Sequence, residues 1–206
     1  MSVPKGLYSR RDPSDRTVVG YERFSCARGP VGWRYAAEVL APDGRTAAGL
    51  VDITVDDAWR QIRVEVRAEA WIVRGGLVGA EVVWVRAGAS GEEAAESVAV
   101  AGGFTGRSPG FLVAVARMLR LPPGATSRVR LVALTEPALV ARIVETGWAL
   151  TTVEEHTTDA GPLPVERYET ADLATGERSA VHLAGDVILA ASGVELEELN
   201  SPPSLG

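Results

Sequence analysis

Ile62-Arg63-Val64-Glu65-Val66-Arg67-Ala68-Glu69-Ala70-Trp71-Ile72 carries an apolar side chain at every even position, with Arg63, Glu65, Arg67 and Glu69 between them. Successive side chains of a strand point to opposite faces. A period of two therefore predicts one long strand over about residues 59–73, with Ile62, Val64, Val66, Ala68, Ala70 and Ile72 on a single apolar face. A helix would scatter the same residues around its axis. The stretch points to an antiparallel sheet with one apolar and one charged face.

Working outward, the punctuation is that of hairpins. Asp56-Asp57 reads as a turn into this strand, and Gly75-Gly76 as the turn out of it into Val78–Arg86. Upstream, Pro42-Asp43-Gly44 separates the strand candidates Tyr35–Leu40 and Ala47–Val55. Downstream, a Gly-, Ala- and Glu-rich loop leads to a short strand, Ser97–Ala101. One helix is predicted close to residues 109–120. Ser108 suits its N-cap and Pro109 its first position, while Phe111, Leu112, Val115, Met118 and Leu119 recur at helical spacing. Pro122-Pro123 stops it.

Strands resume after Gly124. Thr135–Glu145 fits either a helix or a strand, and Trp148–Thr158, Val165–Thr170 and Ser179–Ala191 read as closing strands, with Ala174-Thr175-Gly176-Glu177 as a turn. The predicted fold class is mainly β (α+β). It is a large curled antiparallel sheet, an incomplete β-barrel with one or two packed helices. Residues 1–16 and 196–206 are expected to be a mobile lead and tail around a single β-rich domain over 17–195.

Composition narrows the function classes. The chain has 206 residues, 46% of them hydrophobic, and a net charge of −6, as for a folded protein without the basic footprint that nucleic acid requires. Lys5 is the only Lys and Asn200 the only Asn, an Arg bias expected of a GC-rich bacterial genome. The N-terminus lacks a secretory apolar segment, and no apolar stretch is long enough to span a bilayer. A cytoplasmic protein is the resulting expectation.

The chemistry-bearing residues are few. One cysteine, Cys26, and two histidines, His156 and His182, argue against a metal site and form no catalytic set. His156 shares a strand face with Glu154, and Cys26 reads as a small buried side chain. The loop Gly102-Gly103-Phe104-Thr105-Gly106-Arg107-Ser108-Pro109 opens the helix. Its backbone N–H groups together with Arg107 suit an anion, although the Gly-Lys-Ser/Thr core of a P-loop is absent. Trp71 and Trp84 interrupt otherwise regular faces, and Trp beside Arg on one curled surface suits an amphiphile.

Four stretches together resemble a bacterial glycolipid-binding family. They are Val55-Asp56-Asp57-Ala58-Trp59-Arg60; Val82-Val83-Trp84-Val85; Ser108-Pro109 with the apolar run ending Met118-Leu119-Arg120-Leu121; and Ala184-Gly185-Asp186 followed by Gly193-Val194. The resemblance spans roughly residues 45–195. It implies an incomplete β-barrel wrapped on helices, as in bacterial lipoprotein and lipid carriers, with an apolar ligand inside the curl. Where that family has a Thr- and Asn-rich motif after Ser-Pro, this chain reads Gly110-Phe111-Leu112-Val113.

The leading expectation is non-enzymatic binding of a lipid-like or amphipathic molecule in the curled sheet, without a cofactor. Trp71, Trp84, Phe111 and Arg107 are the candidate contacts, followed by Trp59 and Arg60. The alternative is a protein–protein interaction module using an exposed sheet edge or apolar patch. An enzyme using Asp52, Asp56, Asp57 or Glu154 is third.

Overall fold

The computed structural model describes residues 3–29, 32–159 and 161–204. Its strands in chain order are β1 (Lys5–Arg11), β2 (Val18–Arg28), β3 (Trp33–Leu40), β4 (Ala47–Val55), β5 (Gln61–Ala68), β6 (Trp71–Val78), β7 (Glu81–Gly88), β8 (Ala95–Val100) and β9 (Phe104–Thr105). After the helix α1 (Pro109–Leu119) come β10 (Thr126–Thr135), β11 (Val140–Thr158), β12 (Gly161–Asp172), β13 (Arg178–Ala184), β14 (Val187–Ala191) and β15 (Val194–Leu199). They form one sheet in the order β8-β7-β6-β5-β4-β3-β2-β1-β15-β14-β13-β12-β11-β10-β9. Every neighbouring pair is antiparallel except β9 with β10. The curled, mainly β architecture with one packed helix agrees with the sequence reading.

The turn chemistry acts where it was read at Asp43 and Asp56. Asp43 accepts hydrogen bonds from the N–H groups of Arg45 and Thr46, closing β3 onto β4. Asp56 accepts from the N–H groups of Ala58 and Arg60 and from the Arg60 guanidinium. Thr135–Glu145 resolves as the end of β10, a turn and the start of β11.

The long strand over 59–73 requires correction: it is two strands. β5 ends at Ala68, and the chain reverses at Glu69-Ala70, where Glu69 adopts φ +48°. Ala68 pairs with Trp71, so both side chains share a face. A reversal that pairs an even residue with an odd one inverts the phase, and Trp71, Val73, Gly75 and Leu77 now face inward. At the other end, Thr54 pairs with Arg63 but Val55 with Gln61. That bulge turns Ile62 out to 46% exposure and buries Gln61 at 1%.

Gly75-Gly76 is not a turn but mid-strand, because the backbones approach too closely for a side chain. A Cβ at Gly75 would lie 2.4 Å from the Val83 carbonyl oxygen, and one at Gly76 2.3 Å from that of Ile62. The turn between β6 and β7 is Gly79-Ala80 instead.

The expected mobile lead and tail also need revision. β1 lies in the middle of the sheet between β2 and β15, and β15 draws on residues up to Leu199. Polar composition had suggested fraying, but β1 gains backbone ladders from both β2 and β15, and the tail is held by its pairing with β1 to Leu199 and by the N–H groups of Asn200 on Lys5 and Ser204 on Asp186.

The two ends of the sheet are brought together by a single segment. Residues 95–100 pair with β7 at one end, and residues 102–105 run beside β10 at the other. Across the remaining seam, Gln61 substitutes for a strand. Its Nε2 donates to the Phe104 carbonyl (3.0 Å), and its Oε1 accepts the Phe104 N–H (2.7 Å). Further along, Arg86 donates to the Ala138 carbonyl at 2.9 Å. Gln61→Ala would leave a buried N–H and a buried C=O unpaired, which costs roughly 2–4 kcal/mol. Urea denaturation should show that loss, and an unchanged midpoint would mean that the amide does not hold the seam.

Inside the curl, Tyr8, Phe24 and Tyr35 form a stack with centroid spacings of 4.6 and 5.7 Å. α1 fills the remaining space, burying Phe111 and Val113 to Ala116. Gly110 permits this contact, since a Cβ there would lie 2.6 Å from the Tyr35 ring. Arg120, left-handed at φ 47°, ends the helix.

Candidate functional site

Among the cavities of the described residues, three stand out by buried charge or by exposed apolar side chains. The first is the end of the curl at which α1 begins. Gly6, Tyr8 and Arg10 of β1 face inward beside Phe24, Glu22 and Gly20 of β2, so strand alternation sets a charged pair among aromatic rings. Glu22 is fully buried. Its Oε1 accepts from the Tyr35 hydroxyl at 2.8 Å and from the Ser108 hydroxyl at 2.5 Å. Burial raises the Glu22 pKa, against the opposing pull of Arg10, Ser108 and Tyr35.

Ser108 does not cap α1 through its side chain, because its hydroxyl is given to Glu22. A helix start favours negative charge, and the anion expected there is the protein's own carboxylate. Arg10 is only 4% exposed. Its Nη2 is paired with Glu136, while its Nε and the Glu22 Oε2, 4.0 Å apart, have no hydrogen-bond partner. Beside them opens a cavity of about 350 Å³ whose wall includes Arg10, Arg107, Glu136, Val39, Leu40 and Pro137, with Arg67 and Glu69 also contributing. Arg107 donates to the Arg11 carbonyl at 2.9 Å. Desolvation, and secondly the nearby Arg10, lower its pKa.

The second place is the opposite end, where α1 finishes. Asp186, in the β13–β14 turn, accepts from Trp33 Nε1 (3.1 Å), from the Cys26 thiol (3.6 Å) and from the Ser204 N–H (2.8 Å). Burial, then Asp186, push the Cys26 thiol far above its ordinary range, which removes the thiolate that reactivity needs. Arg117 holds Glu166 at 2.6 Å and donates to the Gly185 carbonyl. Asp186, Ser204, Arg117, Glu166 and Gly185, with Arg28 and Trp59, line a cavity of about 220 Å³.

The third is on the outer face of β5–β8. A trough of about 520 Å³ runs over Gly75-Gly76 between Ile62, Val78, Val83, Val85 and Val98, with Arg74 on its wall. Ile62, Val78, Val85 and Val98 are all exposed, an uncommon concentration of apolar side chains in water. Arg74 is bound to Glu65 at 3.1 Å, and Glu65 also takes Arg67. Those bonds, the one from Arg74 foremost, lower the Glu65 pKa.

The six candidate contacts do not converge. Phe111 is buried in α1, and Arg107 lies at the first cavity. Trp59, at φ +62°, lines the second and packs on Trp33 at 5.3 Å. Arg60 is engaged with Asp56 at 2.7 Å. Trp71 faces the interior rather than the charged side, with Arg86 lying 3.3 Å over its ring. Trp84 packs edge-on to Phe104 at 6.2 Å and also lines the outer trough. The interior expected to admit an apolar ligand is occupied by α1 and these rings.

The carboxylates considered for catalysis have structural partners. Asp52 holds Arg34 through bonds of 3.0 and 2.5 Å, Asp56 organises its turn, and Asp57 accepts the Gly32 N–H. Glu154 lies 3.8 Å from His156 on an exposed strand face. Sequence reading passed over Arg10, Glu22 and Glu136. The signal was present for Glu22, which falls in phase with Gly20, Phe24 and Cys26 and so must share their buried face. Nothing local marks Glu136, which reaches Arg10 across 126 residues of chain.

A half-open barrel plugged by one helix is thus the structural class, and known structures are similar to it in overall fold. A DUF1089-family protein from Pseudomonas aeruginosa superposes with a TM-score of 0.56 at 16% identity, covering 89% of this chain and 92% of its own. A β-barrel-like protein of domain of unknown function DUF1849 from Brucella abortus gives 0.53 at 14% identity, covering 96% of each chain. No family model matches the sequence, and no curated protein does. No helix among the described residues is long and apolar enough to cross a membrane.

Proposed function

We propose that the protein is a non-enzymatic binding module for a lipid-like or amphipathic small molecule, held on the outer trough of β5–β8 rather than inside the curl. The observation that carries this reading is the trough itself: about 520 Å³, walled by five aliphatic side chains and Trp84, with the Arg74 guanidinium and the Glu96 carboxylate beside them. That size is within the range of small-molecule sites. An acyl chain would lie along the valines and replace water there, while an anionic head group would compete with Glu65 for Arg74. Burying about 100 Å² of apolar surface is worth about 2.5 kcal/mol, nearly two decades of affinity before ordering costs.

Val98→Asp tests this without touching the core, because Val98 is exposed at the sheet edge. Displacement of a fluorescent fatty-acid analogue should weaken by at least about tenfold in the variant, with melting unchanged. If the native protein binds neither fatty acids nor glycolipids below high micromolar, the reading should be dropped.

A protein partner is the second reading, favoured by β8. It ends the sheet with one neighbour, and every residue but Ala99 is exposed. Such an edge accepts an added strand.

A further inference from the structure

The cavity at the start of α1 carries an independent inference. We propose that it binds a short apolar monocarboxylate, with the carboxylate on Arg10 and Arg107 and the hydrocarbon body on Val39, Leu40 and Pro137. The site is distinct from the outer trough, and neither proposal depends on the other.

Arg10 carries the argument. It is nine-tenths buried and lines the cavity; its Nε faces the Glu22 carboxylate at 4.0 Å, and its Nη2 carries Glu136. A desolvated guanidinium calls for acceptors on every side, and on the side of Nη2 a planar carboxylate matches its fork. The protein demonstrates this chemistry: Glu136 is a carboxylate already seated on Arg10. It comes from the β10–β11 turn, and its side chain is partly exposed at 22%, so it can yield to a competitor.

The surrounding charges select the class of ligand. Arg10, Arg67 and Arg107 line the cavity with Glu69 and Glu136, and Glu22 lies behind Arg10. One added negative charge is accommodated; a phosphate dianion would meet three carboxylates nearby. An alcohol brings no charge with which to replace Glu136 on Arg10. The remaining wall is aliphatic, and the volume of about 350 Å³ is at the lower end for ligand pockets, which keeps the molecule short.

Hexanoate is the probe, titrated into the full chain and followed by amide NMR, with 1-hexanol and inorganic phosphate in parallel. Hexanoate should saturably shift Leu40 and Ala68, which line the cavity, and bind about tenfold more tightly than hexanol, the difference expected from one charge-assisted contact. Phosphate should not compete. Arg107→Gln should weaken hexanoate about fivefold or more and leave hexanol unchanged. Glu136→Gln, which removes the internal competitor, should strengthen it, and its spectrum reports whether the fold is retained. Equal binding of hexanol and hexanoate, competition by phosphate, indifference to both substitutions, or no shift at about 10 mM would each overturn the proposal. Shifts confined to Val83 and Val98 would overturn it too, while supporting the outer trough.

Discussion

Val66→Asp should abolish cooperative folding at ordinary temperature or bring it close to that limit. Val66 is buried at the centre of the inner face, between Val51 of β4 and Val73 of β6, which are themselves buried. A carboxylate placed there exchanges water for aliphatic neighbours, and an unpaired buried charge is among the few changes that exceed about 4–5 kcal/mol. Domains of this kind are stable by roughly 5–15 kcal/mol in total. Val66→Ala, which removes volume without adding charge, should cost about 1–3 kcal/mol. Thermal melting by circular dichroism separates the two outcomes. Near-native melting of Val66→Asp would mean that this face of β5 does not form the core.

The second large effect is at Arg10. Arg10→Met should destabilise the protein by about 3–5 kcal/mol, because it leaves a buried carboxylate without its cation. Glu22→Gln keeps an acceptor for Tyr35 and Ser108 while removing the charge, so Arg10→Met combined with Glu22→Gln should recover much of the loss. The same pair gives a pH test. The Glu22 pKa is raised in the folded protein, so its contribution to stability is full below the unfolded carboxylate value and is lost as pH rises through the folded one. The native protein should lose stability relative to Glu22→Gln as pH rises above the ordinary carboxylate range, and Arg10→Met should lose it more steeply. Parallel denaturation midpoints for native and Glu22→Gln over that rise in pH would contradict the assignment.

The local grammar of the chain was legible. Period-two alternation, the turns at Asp43 and Asp56, and a Ser-Pro start followed by an apolar stripe each act over a few residues; the turns and the helix formed where they were signalled, and the alternation signalled strand. The misreadings arose where pairing rather than local preference decides. Ile62–Ile72 looks continuous because a two-residue reversal at Glu69-Ala70 leaves the written alternation unbroken while inverting its phase. Gly75-Gly76 has turn composition, yet the backbones of Ile62 and Val83 approach it too closely for a Cβ.

For the candidate site, the sequence determined that Trp and Arg are distributed along a curled sheet, and that a helix enters it at Ser108. Only the tertiary structure decided what fills the curl. α1 and the aromatic stack occupy the interior, and the bulge at Ile62 turns an aliphatic side chain outward to build the trough. The Arg10–Glu136 pair joins residues far apart in the chain. Side-chain alternation is set by each strand alone, whereas a cavity is set by which strands meet, and that depends on register summed over the whole sheet.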